Sequence, residues 1–389
     1  MWFGHHVSKV LVIIGTVTFL LFLSPTVIHL HNVSGLKGTN DHKTIQFLEY
    51  LLQNNVWTQD VQIMHESPTN RYLIALRPFK KEDVVLSMPL NMSISVNQIS
   101  NKHSNLYKSL IDSGADSHTQ LAVFLLLMRN TLEYKPFFDY FPQHTTTPIH
   151  WAPDKLERLL SGTDTLHDVL HHKTRIQTLF QGIKQNSQLL PNSTTLQEFT
   201  WAYEMVSSRV WNGDLIDKEG DSIMIPLLDL LNHNADPNLS VSFDENAKIF
   251  EMTAIRDILV GEELSISYGS KTNGELLMYY GFTVDGNEEN EGCWVWVQAD
   301  VSGCEFFVGS VERDVEECLG GVGLEELGQI TRRRRQAHMV ADDRFEGSAL
   351  KVGGEELDIL NAARVRRGEM ACLRAVESQV ERLLQDQRS

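Results

Sequence analysis

Strand-forming sequence occurs in two separate blocks of this chain. The first block, residues 71–96, contains short aliphatic and β-branched runs separated by a Lys-Lys-Glu-Asp turn, and the second block spans residues 222–268. More than a hundred residues of largely helical pattern lie between the two blocks. Because β-strands must pair with other strands, this order predicts an α+β fold in which one β unit is split by a helical insertion.

The same pattern divides the chain into five segments. Residues 121–128 are apolar on nearly all sides, which predicts a buried helix in the insertion. A hairpin is predicted around a turn at residues 299–303, and residues 355–384 predict a closing helix. The predicted segments are a signal anchor or signal peptide (1–35), the first part of the β unit (36–119), the helical insertion (120–215), the second part of the β unit (216–284) and a small C-terminal lobe (285–389).

The charge balance restricts the classes of partner. Lys and Arg number 34 against 51 Asp and Glu, so the formal net charge is −17, which disfavours nonspecific nucleic-acid binding. The cysteines all lie after residue 292 and form no C-x-x-C or C-x-C motif, which disfavours a structural zinc site. We therefore expect neither a nucleic-acid partner nor a bound metal.

The arginine run at residues 332–335 is interpreted as a solvent-exposed surface in preference to a site for an acidic partner or a membrane.

Residues 10–30 form an uncharged, largely apolar run. As a helix this run would be about 31 Å long, close to the hydrocarbon thickness of a bilayer. An uncleaved membrane anchor is favoured, and a cleaved signal peptide is the alternative because the most apolar part, residues 10–23, is shorter. The anchor predicts attachment to the endomembrane system, and cleavage predicts entry into the secretory pathway. Lys9 and Lys37 flank the run almost symmetrically, so the sequence does not predict which side the domain faces.

Two sequence segments indicate the function of the chain. The first, residues 225–234, reads Ile-Pro-Leu-Leu-Asp-Leu-Leu-Asn-His-Asn, and the second, residues 265–282, contains Ser-Tyr-Gly-Ser and then Glu-Leu-Leu-Met-Tyr-Tyr-Gly-Phe. Their order and spacing resemble the SET-domain methyltransferases, in particular the branch with the Rubisco large-subunit lysine methyltransferases and the actin-histidine methyltransferase. The resemblance extends over about residues 44–284. It implies a knotted SET-type β fold with the helical insertion typical of this branch.

The resemblance also implies S-adenosylmethionine as the cofactor and indicates which residues bind it. Asn232 and His233 match the Asn-His pair that lies beside the cofactor in this family. Arg209 matches the arginine that pairs with the cofactor carboxylate; the other interpretation of Arg209 is a salt bridge within the insertion. Tyr268 matches the tyrosine whose hydroxyl lines the methyl-transfer channel, so it is both the candidate catalytic residue and a cofactor contact.

Methyl transfer explains why such a tyrosine is needed. Displacement at a sulfonium methyl group requires an unprotonated nitrogen held in line with the C–S bond. A free lysine has a pKa of about 10.4, so removing its proton at pH 7 costs about 4.6 kcal/mol. A narrow apolar channel beside a positive sulfonium lowers that pKa, and the Tyr268 hydroxyl then orients the amine lone pair. The resemblance therefore implies neither a metal nor a strong general base.

A lysine of a protein substrate is the preferred target, and a histidine is the alternative. Trp211 offers an apolar ring suited to the wall of a lysine channel, whereas a polar side chain at that position would favour an imidazole. Asp229 and Tyr280 are further candidates for the substrate pocket. The chain is expected to act as a monomer.

One departure from the family pattern leaves a second function open. Family members carry Gly-x-Gly in the first cofactor loop, where this chain has Asn70 and Tyr72. If the Tyr72 ring points away from the cofactor, Asn70 is expected to supply the special backbone conformation, because asparagine tolerates positive φ. If the ring fills the cofactor space, the chain is a catalytically silent SET module that binds a protein segment in the same groove.

Overall fold

The computed structural model describes most of the chain after residue 40. The described residues are 41–54, 56, 60–67, 70–185, 189–216, 222–287, 294–299, 302–307, 327–329, 331–336, 338–339 and 356–386. The predicted membrane segment, residues 10–30, lies outside them, so the anchor and the signal peptide both stay predictions. Within the described ranges, no helix combines the length and the apolar character needed to cross a bilayer.

Three sheets and one separate hairpin make up the β structure of the described residues. The strands are β1 Val61–His65, β2 Arg71–Ala75, β3 Val84–Pro89, β4 Ile94–Ser95, β5 Val210–Asn212, β6 Ser222–Met224, β7 Asn232–His233, β8 Leu239–Asp244, β9 Ile249–Ala254, β10 Glu263–Ile266, β11 Trp294–Ala299 and β12 Ser302–Phe307. The strand orders are β1-β2-β10-β7, β3-β9-β8 and β4-β6-β5, and β11 pairs with β12.

Each of the three sheets joins strands from both sequence blocks. β2 pairs antiparallel with β10, β3 with β9, and β4 with β6. β7 pairs in parallel with β10. The prediction of a single β unit that is split in sequence and rejoined in space is therefore confirmed.

The helices lie mainly between the two strand blocks and at the C-terminal end. They are α1 His42–Gln53, α2 Val96–Lys102, α3 Ser104–Asp112, α4 Ser117–Met128, α5 Lys135–Phe138, α6 Pro153–Leu160, α7 Asp164–Gln185, α8 Leu196–Ser207, α9 Asn273–Tyr280 and α10 Glu356–Asp386. The predicted closing helix corresponds to α10, and the predicted hairpin corresponds to β11 and β12.

The helical insertion begins with α4. Residues 119–125 of this helix are buried, and the helix packs against α8, which confirms the buried helix predicted over residues 121–128. α8 begins with a capping box in which the side chains of Thr195 and Glu198 each accept a hydrogen bond from the other residue's backbone N–H. Because α8 ends in the core of the domain, Arg209 lies in the interior just after the last turn of this helix.

An aromatic cluster joins α1 to the insertion. Phe137, Phe138, Tyr140 and Phe141 are all buried. Tyr140 stacks on Phe47 of α1 with ring centroids 4.6 Å apart. This stacking fixes the segment after α5, which forms part of the wall of the candidate site.

A buried carboxylate joins the C-terminal helix to the insertion. Glu369 of α10 accepts hydrogen bonds from the backbone N–H groups of Asp164 and Thr165, at 2.8 and 3.0 Å, at the start of α7. Burial alone would raise the pKa of Glu369, but hydrogen bonds from His338 and Thr165 outweigh it and lower the pKa. The ionised carboxylate therefore caps α7 and complements the helix dipole.

The interpretation of residues 332–335 as a solvent-exposed run holds for Arg332 and Arg333, whereas Arg334 and Arg335 are only partly exposed. Three of these arginines form ion pairs, which are Arg332 with Glu381, Arg334 with Asp164 and Arg335 with Glu377. The run therefore binds α7 and α10.

Cys372 of α10 is disulfide-bonded, a feature that the sequence analysis did not predict.

We expect Glu369→Ala to lower the free energy of unfolding by about 2–3 kcal/mol, because the charged cap is lost and two N–H groups of α7 lose their acceptor. Chemical denaturation followed by circular dichroism measures this change. Glu381→Ala is the control, since the Glu381 side chain is 58% exposed and its partner lies 3.8 Å away. Its effect should stay within about 0.5 kcal/mol. Equal losses in the two variants would contradict the capping role.

Candidate active site

A cavity of about 690 Å³ lies where the two halves of the β unit meet the helical insertion. Its walls come from the start of β2, from β7, from the chain after β10 and from the ends of α8 and α9. Six of the seven predicted site residues line it, namely Arg209, Asp229, Asn232, His233, Tyr268 and Tyr280. A second cavity of about 370 Å³, between α7, α9 and α10, contains none of these six.

Trp211 is the predicted site residue that does not line the cavity. It lies in β5, pairs with Ile223 of β6 and packs against the main hydrophobic core. Its indole ring is partly buried against that core, so the cavity gives no support to the prediction that Trp211 walls a lysine channel. That role of Trp211 stays a prediction.

The parallel pairing of β7 with β10 positions Asn232 and His233 opposite residues 265–266. The Asn232 amide donates hydrogen bonds to Glu263 at 2.9 Å and to Asn70 at 3.4 Å. Asn232 is therefore bonded to both halves of the β unit, and its side chain is held at their junction.

The His233 imidazole is neutral at physiological pH. Its Nδ1 atom accepts a hydrogen bond from the backbone N–H of Tyr268 at 3.0 Å, which places the ring proton on Nε2. Burial lowers the pKa of His233, and the charge of Lys271 lowers it further. His233 therefore fixes the backbone of Tyr268 and does not supply a charge to the cavity.

The Tyr268 hydroxyl is held in a defined orientation. It donates a hydrogen bond to the carbonyl oxygen of Leu231 at 2.9 Å. Burial raises the pKa of Tyr268, and Tyr280 contributes in the same direction, so the hydroxyl stays protonated. The Tyr268 ring centroid lies 4.8 Å from that of Tyr280 and 6.4 Å from that of Phe282. The Tyr268 ring thus packs against two other aromatic rings, and its oxygen, which donates to Leu231, can still accept a hydrogen bond.

Arg209 and Asp229 form a buried ion pair on the wall of the cavity. The distance from Nε of Arg209 to Oδ2 of Asp229 is 3.5 Å. Burial lowers the pKa of Arg209 while Asp229 opposes that shift, and burial raises the pKa of Asp229 while Arg209 opposes it. Each group therefore helps to keep the other ionised. The partner of Arg209 belongs to the second strand block, so the salt bridge is not confined to the insertion.

The first cofactor loop ends at Asn70, whose backbone N–H donates a hydrogen bond to the Ser67 hydroxyl at 2.9 Å. The special backbone conformation expected of Asn70 stays a prediction. Arg71 lines the cavity, and Tyr72, which pairs with Met64 in the neighbouring strand, does not. Adjacent strand residues point to opposite faces, which explains why the Tyr72 ring leaves the cavity open.

Sequence analysis missed two features of this cavity. Strand alternation could have indicated Arg71, because a residue beside Tyr72 faces the opposite side of β2. The loop after the aromatic cluster also lines the cavity, and Glu204 of α8 fixes it by accepting hydrogen bonds from Thr145 and Thr147 at 2.8 and 2.5 Å. Each of these contacts joins residues more than fifty positions apart, so no local pattern identifies them.

Curated proteins with similar sequences include two kinds of N-methyltransferase. The chain is 26% identical over 236 residues to the chloroplastic ribulose-1,5 bisphosphate carboxylase/oxygenase large subunit N-methyltransferase of Nicotiana tabacum, covering 55% of this chain and 46% of that protein. It is 25% identical over 267 residues to the actin-histidine N-methyltransferase of Gallus gallus, covering 65% of this chain and 44% of that protein. The chain thus spans less than half the length of these relatives.

Solved structures share the fold. The SET domain of LSMT bound to lysine and AdoHcy matches with a TM-score of 0.68 at 18% identity, covering 87% of this chain and 91% of that chain. Rubisco LSMT bound to AdoMet matches with the same TM-score and identity, covering 88% and 92%. The family model of the SET domain matches residues 70–269, which is more than half of the chain. This protein therefore belongs to the SET-domain family.

Proposed function

We propose that this protein is an S-adenosylmethionine-dependent protein N-methyltransferase that acts on lysine. The observation that carries the proposal is the hydrogen bond from the Tyr268 hydroxyl to the Leu231 carbonyl, inside a cavity that Arg209 and the Asn232–His233 pair also line. A tyrosine fixed in this way can accept a hydrogen bond from a substrate amine. The similar curated proteins support the proposal, because they are named as a Rubisco large-subunit N-methyltransferase and an actin-histidine N-methyltransferase.

The residues of the cavity fit this cofactor. The cavity volume of about 690 Å³ lies in the range of about 300–1,000 Å³ that is common for small-molecule sites. Arg209 would bind the carboxylate of the cofactor. Glu263 and Oδ1 of Asp229, which is buried without a hydrogen-bond partner in the described part of the chain, are acceptors for its ammonium and hydroxyl groups. When bound, S-adenosylmethionine supplies an electrophilic methyl group on a sulfonium.

The described residues orient a neutral amine. The Tyr268 oxygen accepts a hydrogen bond from an N–H group of the amine, while its own proton is donated to the carbonyl oxygen of Leu231. The single lone pair of the amine is then available for in-line attack. Asp229 is paired with Arg209, so it is not placed to act as a strong base. The protein therefore works by positioning and by excluding water, which lowers the pKa of the incoming lysine.

An aromatic wall supports lysine over histidine as the target. The rings of Tyr268, Tyr280 and Phe282 lie with centroids 4.8 to 6.4 Å apart. Their apolar faces suit the aliphatic stem of lysine and keep water from its amine. An imidazole would carry a second ring nitrogen that needs a hydrogen-bond partner. Histidine stays the alternative, and mass spectrometry of methylated peptides distinguishes the two.

We further propose that residues 10–30 direct the chain to the endomembrane system, as an anchor or as a cleaved signal peptide. Their uncharged length supports this targeting. The disulfide bond of Cys372 supports a luminal location of the domain, because disulfides persist mainly in oxidising compartments. We propose that the domain acts on its protein substrate as a monomer, since Arg209, Asn232, His233 and Tyr268 of one chain suffice to line the cavity.

Removing the Tyr268 hydroxyl tests the catalytic assignment. In Tyr268→Phe, methyl transfer to a lysine peptide should fall by roughly 10- to 1,000-fold, or about 1.4–4 kcal/mol, because the amine loses the group that orients it. The dissociation constant of S-adenosylhomocysteine, measured by calorimetry, should change by less than about threefold. Tyr72→Phe removes a hydroxyl outside the cavity and is the matched control. A wild-type rate in Tyr268→Phe would exclude the catalytic role.

The Tyr72 ring provides the test of the catalytically silent alternative. Because this ring does not line the cavity, Tyr72→Thr should leave the affinity for S-adenosylhomocysteine within about threefold, even if the melting temperature falls. Threonine retains a preference for strands, so β2 is preserved. A gain in affinity of tenfold or more would mean that the ring occupies the cofactor space in solution. That result would favour the silent module over the enzyme.

Cell fractionation tests the targeting proposal. The full chain should stay with the membrane pellet after alkaline carbonate extraction if residues 10–30 form an anchor, and it should appear in the secretory lumen if they are cleaved. A variant without residues 10–30 should leave the membrane fraction. In the full chain, Cys372 should react with a maleimide reagent only after reduction. A full chain in the cytosol with a reactive Cys372 thiol would disprove the proposal.

A further inference from the structure

Two arginines line the cavity, and consecutive aromatic residues support them. Cζ of Arg71 lies 4.2 Å from the ring centroid of Tyr140, and Cζ of Arg209 lies 5.0 Å from that of Phe141. Tyr140 in turn stacks on Phe47, with ring centroids 4.6 Å apart. Both guanidinium groups are therefore held against rigid aromatic surfaces that are themselves fixed in the core.

The two arginines differ in how their charges are compensated. Arg209 pairs with Asp229 at 3.5 Å. Arg71 has no carboxylate within ion-pair distance among the described residues, although its charge acts on both Arg209 and Asp229. The cluster of Arg71, Arg209 and Asp229 therefore has two positive charges and one negative charge. The carboxylate of Glu204 also acts on Arg209, but it is bonded to Thr145, Thr147 and His150.

The other carboxylates of the cavity belong to a different cluster. Glu66 accepts a hydrogen bond from the Asn70 amide at 2.5 Å, and Glu263 accepts one from the Asn232 amide at 2.9 Å. Neither forms an ion pair with an arginine of the cavity within the described ranges. Both carboxylates keep their negative charge, but neither lies within ion-pair distance of Arg71, so the Arg71 guanidinium group stays open to a ligand carboxylate.

We propose that Arg71 binds the α-carboxylate at the amino-acid end of the cofactor, together with Arg209; this inference rests on the proposed function. A carboxylate has two oxygens and about four lone-pair directions, so it can accept hydrogen bonds from two guanidinium groups. The position between Asn70 and Tyr72, where the family pattern has the middle residue of Gly-x-Gly, thus carries a charged side chain that contributes to binding. Binding of the carboxylate would balance the excess positive charge of the Arg71–Arg209–Asp229 cluster.

The experiment compares two ligands that differ in this carboxylate. We would measure by calorimetry the dissociation constants of S-adenosylhomocysteine and of its decarboxylated analogue, S-adenosyl-3-thiopropylamine, for the full chain and for Arg71→Met. The variant should bind S-adenosylhomocysteine roughly 10- to 100-fold more weakly, because a charge-assisted contact is lost. Its affinity for the decarboxylated analogue should change by less than about twofold. Arg71→Lys keeps the charge and should lose less affinity than Arg71→Met.

Arg77→Met is the matched control. Arg77 also lies over an aromatic ring, with Cζ 4.1 Å from the centroid of Phe79, but it pairs with Asp60 and does not line the cavity. Both ligands should bind this variant as they bind the unchanged protein. Circular dichroism and melting temperatures establish that each variant is folded.

Three results would overturn the assignment of Arg71, and they have different meanings. Equal weakening of both ligands in Arg71→Met would show that Arg71 shapes the cavity without binding the carboxylate. Unchanged cofactor affinity with a raised KM for the peptide would place Arg71 in the substrate site. If the unchanged protein bound neither ligand, the proposed function would fail together with the role of Arg71.

Discussion

The parallel pairing of Asn232 and His233 with residues 265–266 is the contact on which the site depends. It attaches β7 to β10, and β10 pairs antiparallel with β2 from the first strand block. The chain leaving β10 then brings Tyr268 to both the Nδ1 atom of His233 and the carbonyl of Leu231. These walls come from distant parts of the sequence, so the cavity forms only when the whole β unit has assembled.

Two energetically unfavourable features lie around this cavity. The Arg209–Asp229 pair is desolvated, and removing either partner of such a pair typically costs about 3–5 kcal/mol because the other charge is left buried. Leu227, just before the turn that presents Asp229, has a φ of +71°, a strained value for a leucine. A fold selected for stability alone would avoid both features. Their concentration at one cavity is the pattern expected where binding or catalysis constrains the sequence.

The sequence predicted what local patterns determine. The apolar run at residues 121–128 had to be buried wherever it packed, and the Asn232–His233 and Tyr268 motifs are short enough to be recognised directly. What local patterns do not determine are contacts between distant residues. Trp211 packs partly against the core and does not line the cavity, and Glu369 caps a helix that begins 205 positions earlier. The family's glycines are absent from the first cofactor loop, but the alternation of side chains along β2 directs Tyr72 away from the cavity and Arg71 toward it.

The surroundings of Tyr268 indicate how a target amine would reach its reactive form. Burial is the leading cause of the raised pKa of Tyr268, and burial likewise raises the pKa of Tyr280 to about 12, since an environment that excludes water disfavours a phenolate. The same environment disfavours an ammonium ion, so it lowers the pKa of a lysine. Arg209 and Asp229 act on Tyr268 in opposite directions, which leaves the exclusion of water as the dominant influence. The exclusion of water that keeps the tyrosine protonated would therefore also favour a neutral amine in the proposed reaction, and these are the protonation states that methyl transfer without a strong base requires.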